Sequence, residues 1–254
     1  GFGSAVVGTH ARHTTDGGIS WHPFTSVPDD AAIRSTAISP DFTESGLIAL
    51  GGLHGTILLS NNRGKSWTRL DETFREATIT SIAFSPRFAQ DGVILAAAIA
   101  HDSAVVYRSS DRGESWDAYV QANTVFPWLS IAIATGPTTT TDAYAFATGS
   151  QVYFPGSGDG YWNVSHVAGP EAAVRDLVAI GTEDANTWYI AATSVGLFIS
   201  SLTGHAWEEL AEPLAGRPIQ AVDVVASDDG YTLLTTTMNG EIWTGQLTIT
   251  AAQP

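Results

Sequence analysis

Four arginines are the first candidates for chemistry: Arg34, Arg75, Arg175 and Arg217, each in a polar stretch that also holds acidic residues. A guanidinium presents paired N–H donors that match a carboxylate, so three of them converging would make a carboxylate clamp. Asp29, Asp30, Glu72, Glu76, Glu171 and Glu212 share those stretches and offer a second chemistry, two carboxyl groups set across a cleft for glycosidic cleavage. Phe126 and Trp128 are the aromatic members of the same set. A third chemistry would be a metal site, because His10, His54 and His101 recur at comparable places in three successive stretches. Zinc needs ligand nitrogens at about 2.0–2.1 Å, and equivalent hairpins of successive units splay apart, so no shared metal is expected. Asp228-Asp229-Gly230 lacks the regular oxygen spacing of a calcium loop and reads as a turn. Asn163-Val164-Ser165 matches a glycosylation acceptor and matters only in a glycosylating host. The sequence has no glycine-rich phosphate loop opening a helix, no serine nucleophile elbow and no basic stripe interleaved with aromatics, and we expect no cofactor.

The elements that must position these residues come from a repeat. TTDGGISW (14–21), SNNRGKSW (60–67) and SSDRGESW (109–116) recur, with weaker echoes in PGSGDGYW (155–162) and SSLTGHAW (200–207). Trp21, Trp67, Trp116, Trp162 and Trp207 are 46, 49, 46 and 45 residues apart. That period suits a four-stranded propeller blade, and by length alone also four helical pairs. Local pattern decides against helices. Each unit is a series of short β-rich runs, such as 35–39 (STAIS), 47–51 (LIALG), 56–60 (TILLS) and 66–70 (SWTRL), separated by Gly, Pro, Asn and Asp. No run of helical length is amphipathic at a 3.6-residue period. The innermost strands are expected to be apolar on both faces.

In this pattern Asp16, Asn62 and Asp111 can accept backbone N–H bonds inside the hairpin between a blade's third and fourth strands. Gly18, Gly64 and Gly113 supply the left-handed position, and the tryptophans are expected to wedge between blades. The S/T-x-D/N-x-G-x-x-W signature resembles the Asp-box, or BNR repeat, of sialidases, sortilin-type receptors, xyloglucan-cleaving glycosidases and photosystem II assembly factors, all propellers. Leu202 replaces the acid in the last copy and the fourth copy is out of register, so those hairpins must be held otherwise. A second echo, Ser39-Pro40-Asp41-Phe42 and Ser85-Pro86-Arg87-Phe88, marks the connection from first to second strand and resembles loops of bacterial BNR-repeat proteins.

The fold expected is one all-β propeller over residues 1–254, built of four-stranded blades, with six favoured and five the alternative. With six, the first unit begins at its second strand (Ala5 to Thr9), and Leu247–Thr250 supplies its missing inner strand, closing the ring by pairing of the chain's two ends. The candidate arginines then fall in loops joining each outer strand to the next inner one. The resemblance implies a sialidase reading, in which the arginines bind a carboxylate beside a tyrosine–glutamate pair. The Arg-Ile-Pro signature of that family is missing, and no Tyr can be paired with a Glu from sequence.

Composition narrows the partners. The chain of 254 residues has 26 acidic against 11 basic residues, a net charge of −15, with Lys65 the only lysine. Nucleic acid and anionic membrane surfaces would repel it. The longest apolar run, Gly92 to Ala100, is far short of the roughly 20 residues that span a bilayer, so no membrane insertion is expected. Without cysteine there is no disulfide or thiolate chemistry. The chain opens Gly1-Phe2-Gly3 without an initiator methionine, and we expect an upstream segment to have been removed. The reading is a non-catalytic binding propeller for a protein partner or glycan, an extracytoplasmic subunit or assembly factor. A glycoside hydrolase is the alternative.

Overall fold

The recurring turns fold alike in the computed structural model, which describes residues 1–70, 74, 76–101, 103–123, 129–134, 144–155, 162–181, 187–200, 206–210, 214–227 and 230–249. In the second copy Ser60 Oγ accepts from Gly64 N (2.8 Å) and donates to Asn62 Oδ1 (2.9 Å), which accepts from Ser66 N (3.0 Å). Ser109 and Asp111 repeat this with Gly113 N (2.8 Å) and Ser115 N (2.9 Å). Thr14 and Asp16 repeat it with Gly18 N (2.9 Å) and Ser20 N (3.0 Å). Two consecutive left-handed residues make each turn: Gly17–Gly18, Arg63–Gly64 and Arg112–Gly113. In the last copy, without an acid, Ser200 Oγ donates to the Ala206 carbonyl (2.6 Å). The body of the fourth copy lies outside the described residues.

The strands joined by these turns form six antiparallel sheets in chain order, a six-bladed β-propeller. The first has β1 (Gly3–Val7), β2 (His10–Thr14) and β3 (His22–Pro23). The second has β4 (Ile33–Ile38), β5 (Ile48–Gly52), β6 (Ile57–Ser60) and β7 (Thr68–Leu70), and the third β8 (Thr78–Phe84), β9 (Ile94–Ala100), β10 (Ser103–Ser109) and β11 (Asp117–Asn123). Next come β12 (Ser130–Ile133), β13 (Tyr144–Thr148), β14 (Gln151–Pro155) and β15 (Trp162–His166) in the fourth, then β16 (Val174–Gly181), β17 (Thr187–Thr193), β18 (Gly196–Ser200) and β19 (Glu208–Glu209) in the fifth. The sixth has β20 (Ile219–Ser227), β21 (Gly230–Thr237) and β22 (Ile242–Leu247). The chain divides into two compact units, Gly1–Leu129 and Ser130–Pro254, each of three sheets.

The first sheet begins with its second strand, at Gly3 to Val7 rather than Ala5 to Thr9. Among the described residues no strand pairs with the other edge of β1. Leu247 pairs with Tyr231 inside the sixth sheet, and Thr250 lies outside the described residues. The strands buried on both faces are the second ones, β5 and β9 foremost, and not the first. A second strand is flanked by strands at both edges and by side chains of adjoining sheets on its faces, whereas β4 and β8 have one unpaired edge and are only partly buried.

Within each unit the core lies between sheets. Trp67 meets Phe24 of the preceding sheet edge-on (5.3 Å), and Trp116 meets Phe74 in the same way (5.3 Å). Gly64 lies so near Phe24 that a Cβ there would come within 2.4 Å of the ring. Trp207 packs on the core of the fourth and fifth sheets and donates to Ser165 Oγ (3.0 Å). Two tryptophans depart from the wedge role. Trp21 is 39% exposed, and Trp162, which starts β15 instead of preceding it, meets Phe146 edge-on (5.2 Å) and Tyr144 at a tilt (6.1 Å) within its own sheet.

The second echo forms one-turn helices, α1 (Phe42–Ser45) and α2 (Phe88–Asp91), each ended by a left-handed glycine, Gly46 or Gly92. Arg63 and Arg112 latch them to the turns. Arg63 Nη2 donates to the Thr43 carbonyl (2.8 Å) with its guanidinium over Phe42, and Arg112 repeats this with Ala89 (2.8 Å) and Phe88. The repeated Arg in the x position of D/N-x-G was the signal for this latch.

Candidate binding face

The first strands of the second, third, fifth and sixth sheets open on a β-bulge, which bends the strand and re-aims one side chain. The register shifts fall at Ile33/Ser35, Ile79/Ser81, Val174/Asp176 and Ile219/Ala221. The residues set off by them are therefore Arg34, Thr80, Arg175 and Gln220. Two of the four candidate arginines thus occupy one structural position in two different blades. Thr80 and Gln220 share it without any signal in side-chain type; only the strand-start register reveals them. Thr80 Oγ1 donates to the Leu129 carbonyl (2.9 Å).

Arg34 is exposed in the first unit, and Arg175 is half-buried in the second. Arg217 lies just before β20, where its Nη1 is 3.3 Å from Glu241 Oε2 and its guanidinium covers Trp243 (5.4 Å). Arg75, Phe126 and Trp128 lie outside the described residues, as do Glu72 and Glu212. Asp30 is held by Arg69 (3.0 Å), while Asp29, Glu76 and Glu171 are exposed. His54 and His101 are left-handed turn residues of the β5–β6 and β9–β10 hairpins, and His10 opens β2. Among the described residues no group of three His, Asp or Glu could hold a metal ion.

Displaced titrations are tied to hydrogen bonding and burial. Donation from the Ser115 hydroxyl and amide, then the Ser109 hydroxyl, lowers Asp111 to about 2. Ser20 hydroxyl and amide, with Thr14, hold Asp16 well below the usual carboxylate range. Asp176 goes the other way: burial raises it to about 6, against bonds from Val222 N (3.1 Å), Leu177 N (2.9 Å) and Ser130 Oγ (3.1 Å). Its carboxylate therefore ties the first strands of all three sheets of the second unit. Burial also pushes the Tyr189 hydroxyl up to about 12. The grooves among the described residues are open. One of about 430 Å³ lies between the second and third sheets, floored by Leu47, Leu59 and Leu70 beneath Arg112.

No family model matches the chain, and no curated protein matches it. Solved structures do. It is similar to YCF48 bound to D1 peptide, at 21% identity over 94% of this chain and 72% of that one, TM-score 0.59. It is similar to BBS1N in complex with ARL6DN at 13% identity, covering 98% of this chain and 75% of that one, TM-score 0.65. The GH74 xyloglucanase from Xanthomonas campestris matches at 17% identity, over 94% of this chain but 41% of the enzyme, TM-score 0.63. These likenesses are of fold, and the fold they define is the β-propeller.

Proposed function

We propose that the chain is a non-catalytic Asp-box propeller, residues 1–254 acting as one domain, that docks a protein partner or a glycan through its inter-blade loops. The observation carrying this reading is the fate of the displaced carboxylates. Asp16, Asp111 and Asp176 are each bonded into the scaffold, so none is held poised over an open groove as a catalytic acid would be. The propellers it resembles lend support as analogy: YCF48 is bound to a peptide, and BBS1N is in complex with another protein. The residues proposed to meet the partner are Arg34 in the first unit and Arg175 and Arg217 in the second; the further candidates Arg75, Phe126 and Trp128 lie outside the described residues. A net charge of −15 disfavours nucleic acid, and the lysine-poor surface suits an extracytoplasmic subunit or assembly factor.

Two assays on the full chain test the proposal. Incubation with a panel of chromogenic glycosides, sialosides included, is expected to give no turnover; turnover abolished by a single carboxylate substitution would establish the hydrolase instead. Affinity capture is then compared between the wild type and the Arg34→Ala/Arg175→Ala/Arg217→Ala variant. A protein or glycan held by the former is expected to be lost from the latter.

A further inference from the structure

Four rings cover the face that the first sheet turns to the second. Phe2 stacks on His13 (5.8 Å between ring centroids), His13 stacks on Phe24 (4.8 Å), and His22 stands 6.1 Å from His13. The Phe24 ring lies against Gly64 and Trp67 of the second sheet, and Phe2 meets Phe42 (4.4 Å). Register carries these four positions into the next sheet. Gly3 pairs with Thr14 as Ile48 pairs with Ser60, so Phe2 corresponds to Leu47. His13 pairs with His22 as Leu59 pairs with Thr68. Phe24 N donates to the Ala11 carbonyl where Leu70 pairs with Ile57. The second sheet therefore has Leu47, Leu59, Thr68 and Leu70 where the first has rings.

Those four residues line the groove of about 430 Å³ between the second and third sheets, and Arg112, Gly113 and Glu114 of the third-sheet turn form its other wall. Both sheets belong to the first unit, so the groove is a feature of that unit alone. Its leucine floor suits an apolar side chain inserted from outside, and the junction beside it shows that a ring is the shape this fold accepts against a turn glycine. A rigid aromatic side chain seated in such a pocket is the usual anchor of a protein interface. A sugar ring would leave its hydroxyls unpaired against the leucines.

Charge selects what flanks the anchor. Arg112 is already committed, with Nη2 donating to the Ala89 carbonyl (2.8 Å) and its guanidinium over Phe88 (5.0 Å). Glu114 is exposed at the rim and has no ion-pair partner among the described residues. The preceding turn carries Lys65 at the same place, so the sign of the rim is reversed from one junction to the next. An acidic rim on a chain of net charge −15 favours a cationic partner. We propose that this groove docks a protein segment in which a phenylalanine adjoins an arginine or lysine, the ring lying among Leu47, Leu59 and Leu70 and the cation meeting Glu114. The site lies at the turn end of the second and third sheets, whereas Arg34 lies at the other end of β4, so it is distinct from the loop residues proposed above.

The test is titration of the full chain with a fluorescein-labelled peptide holding one phenylalanine–arginine pair in a glycine–serine frame, read by anisotropy. Peptides with alanine–arginine and phenylalanine–glutamate pairs are the controls. The first is expected to bind and the controls to bind at least several-fold more weakly. Leu70→Phe, which puts in the groove the ring that the first sheet has at this position, should weaken binding roughly tenfold or more, the scale of about 1.4 kcal/mol, with Tm at or above that of the wild type. Glu114→Gln, an exposed change, should weaken it a few-fold, and Glu208→Gln, an exposed change in the fifth sheet, should leave it unchanged. Arg34→Ala/Arg175→Ala/Arg217→Ala should bind the peptide as the wild type does, which separates this site from the loop residues. The inference is overturned if the phenylalanine–arginine peptide fails to bind, or if Leu70→Phe leaves its affinity unchanged. A steep fall in Tm for Leu70→Phe also overturns it, since the groove would then have no room for a ring. Equal weakening by Glu208→Gln and Glu114→Gln would mean diffuse charge and would overturn it too.

Discussion

The two units hold their sheets together by opposite means. In Gly1–Leu129 the same turn is used three times, each closed over four residues by a hydroxyl and an Asp or Asn side chain, and each Asp is more acidic than a free one. In Ser130–Pro254 Ser200 donates across the fifth-sheet turn to the Ala206 carbonyl, and the Asp176 carboxylate reaches 46 residues in both directions to tie three sheets. Repetition of a cheap local device can therefore be replaced by one costly long-range contact without changing the blade.

The largest expected effect probes the packing that the local device allows. Gly64→Ala forces a Cβ against the rigid Phe24 ring at a φ of 80°. We expect a loss of about 3 kcal/mol by urea denaturation, combining overpacking with left-handed strain. Gly18→Ala, where a Cβ meets only Trp21 at 3.9 Å, should cost about 1 kcal/mol. Equal losses would show that the turn, and not the sheet contact, sets the requirement for glycine.

Acid should separate the units next. Asp176, raised to about 6, contributes stability that is full below its unfolded value near 3.8 and is lost as pH rises through 6. That loss amounts to at most about 3 kcal/mol between pH 4 and 7. Asp16 and Asp111, being lowered, contribute stability that is present above about pH 4 and fades as pH falls toward 2. Asp176→Asn should flatten the pH 4–7 slope of the unfolding free energy while leaving the acid limb. A wild-type slope unchanged by the substitution would remove Asp176 from this account.

The smallest effect compares hydroxyls at one structural position. Ser109→Ala strands the buried Gly113 N–H and should cost about 2 kcal/mol, whereas Ser200→Ala, releasing the Ala206 carbonyl, should cost about 1 kcal/mol. Reversal of that order in thermal unfolding would mean that the degenerate turn is the tighter one.

The fold was legible because its determinants are local. Tryptophan spacing marked the period, and the S/T, D/N and G positions marked turns whose bonds span four residues or fewer. What escaped depends on neighbours distant in sequence. Asp176 looks like a surface acid in Val174–Ile180, and only the approach of Ser130 and Val222 takes its carboxylate out of water. The bulge that aligns Arg34 with Arg175 is a property of pairing register, to which side-chain type gives no clue. Arg63 and Arg112 were visible as repeated letters, but their role required the helices they latch.

The reach of Asp176 also bears on time rather than on equilibrium. A bond closed over four residues can form while the rest of the chain is still searching, because its loop-closure cost is small. The Asp176 bonds can form only after Ser130, Leu177 and Val222 have been brought together, late on any route. Contacts made after the folding barrier act chiefly by slowing escape from the native state. The repeated turns are thus expected to form early in the first unit and the Asp176 bonds late in the second.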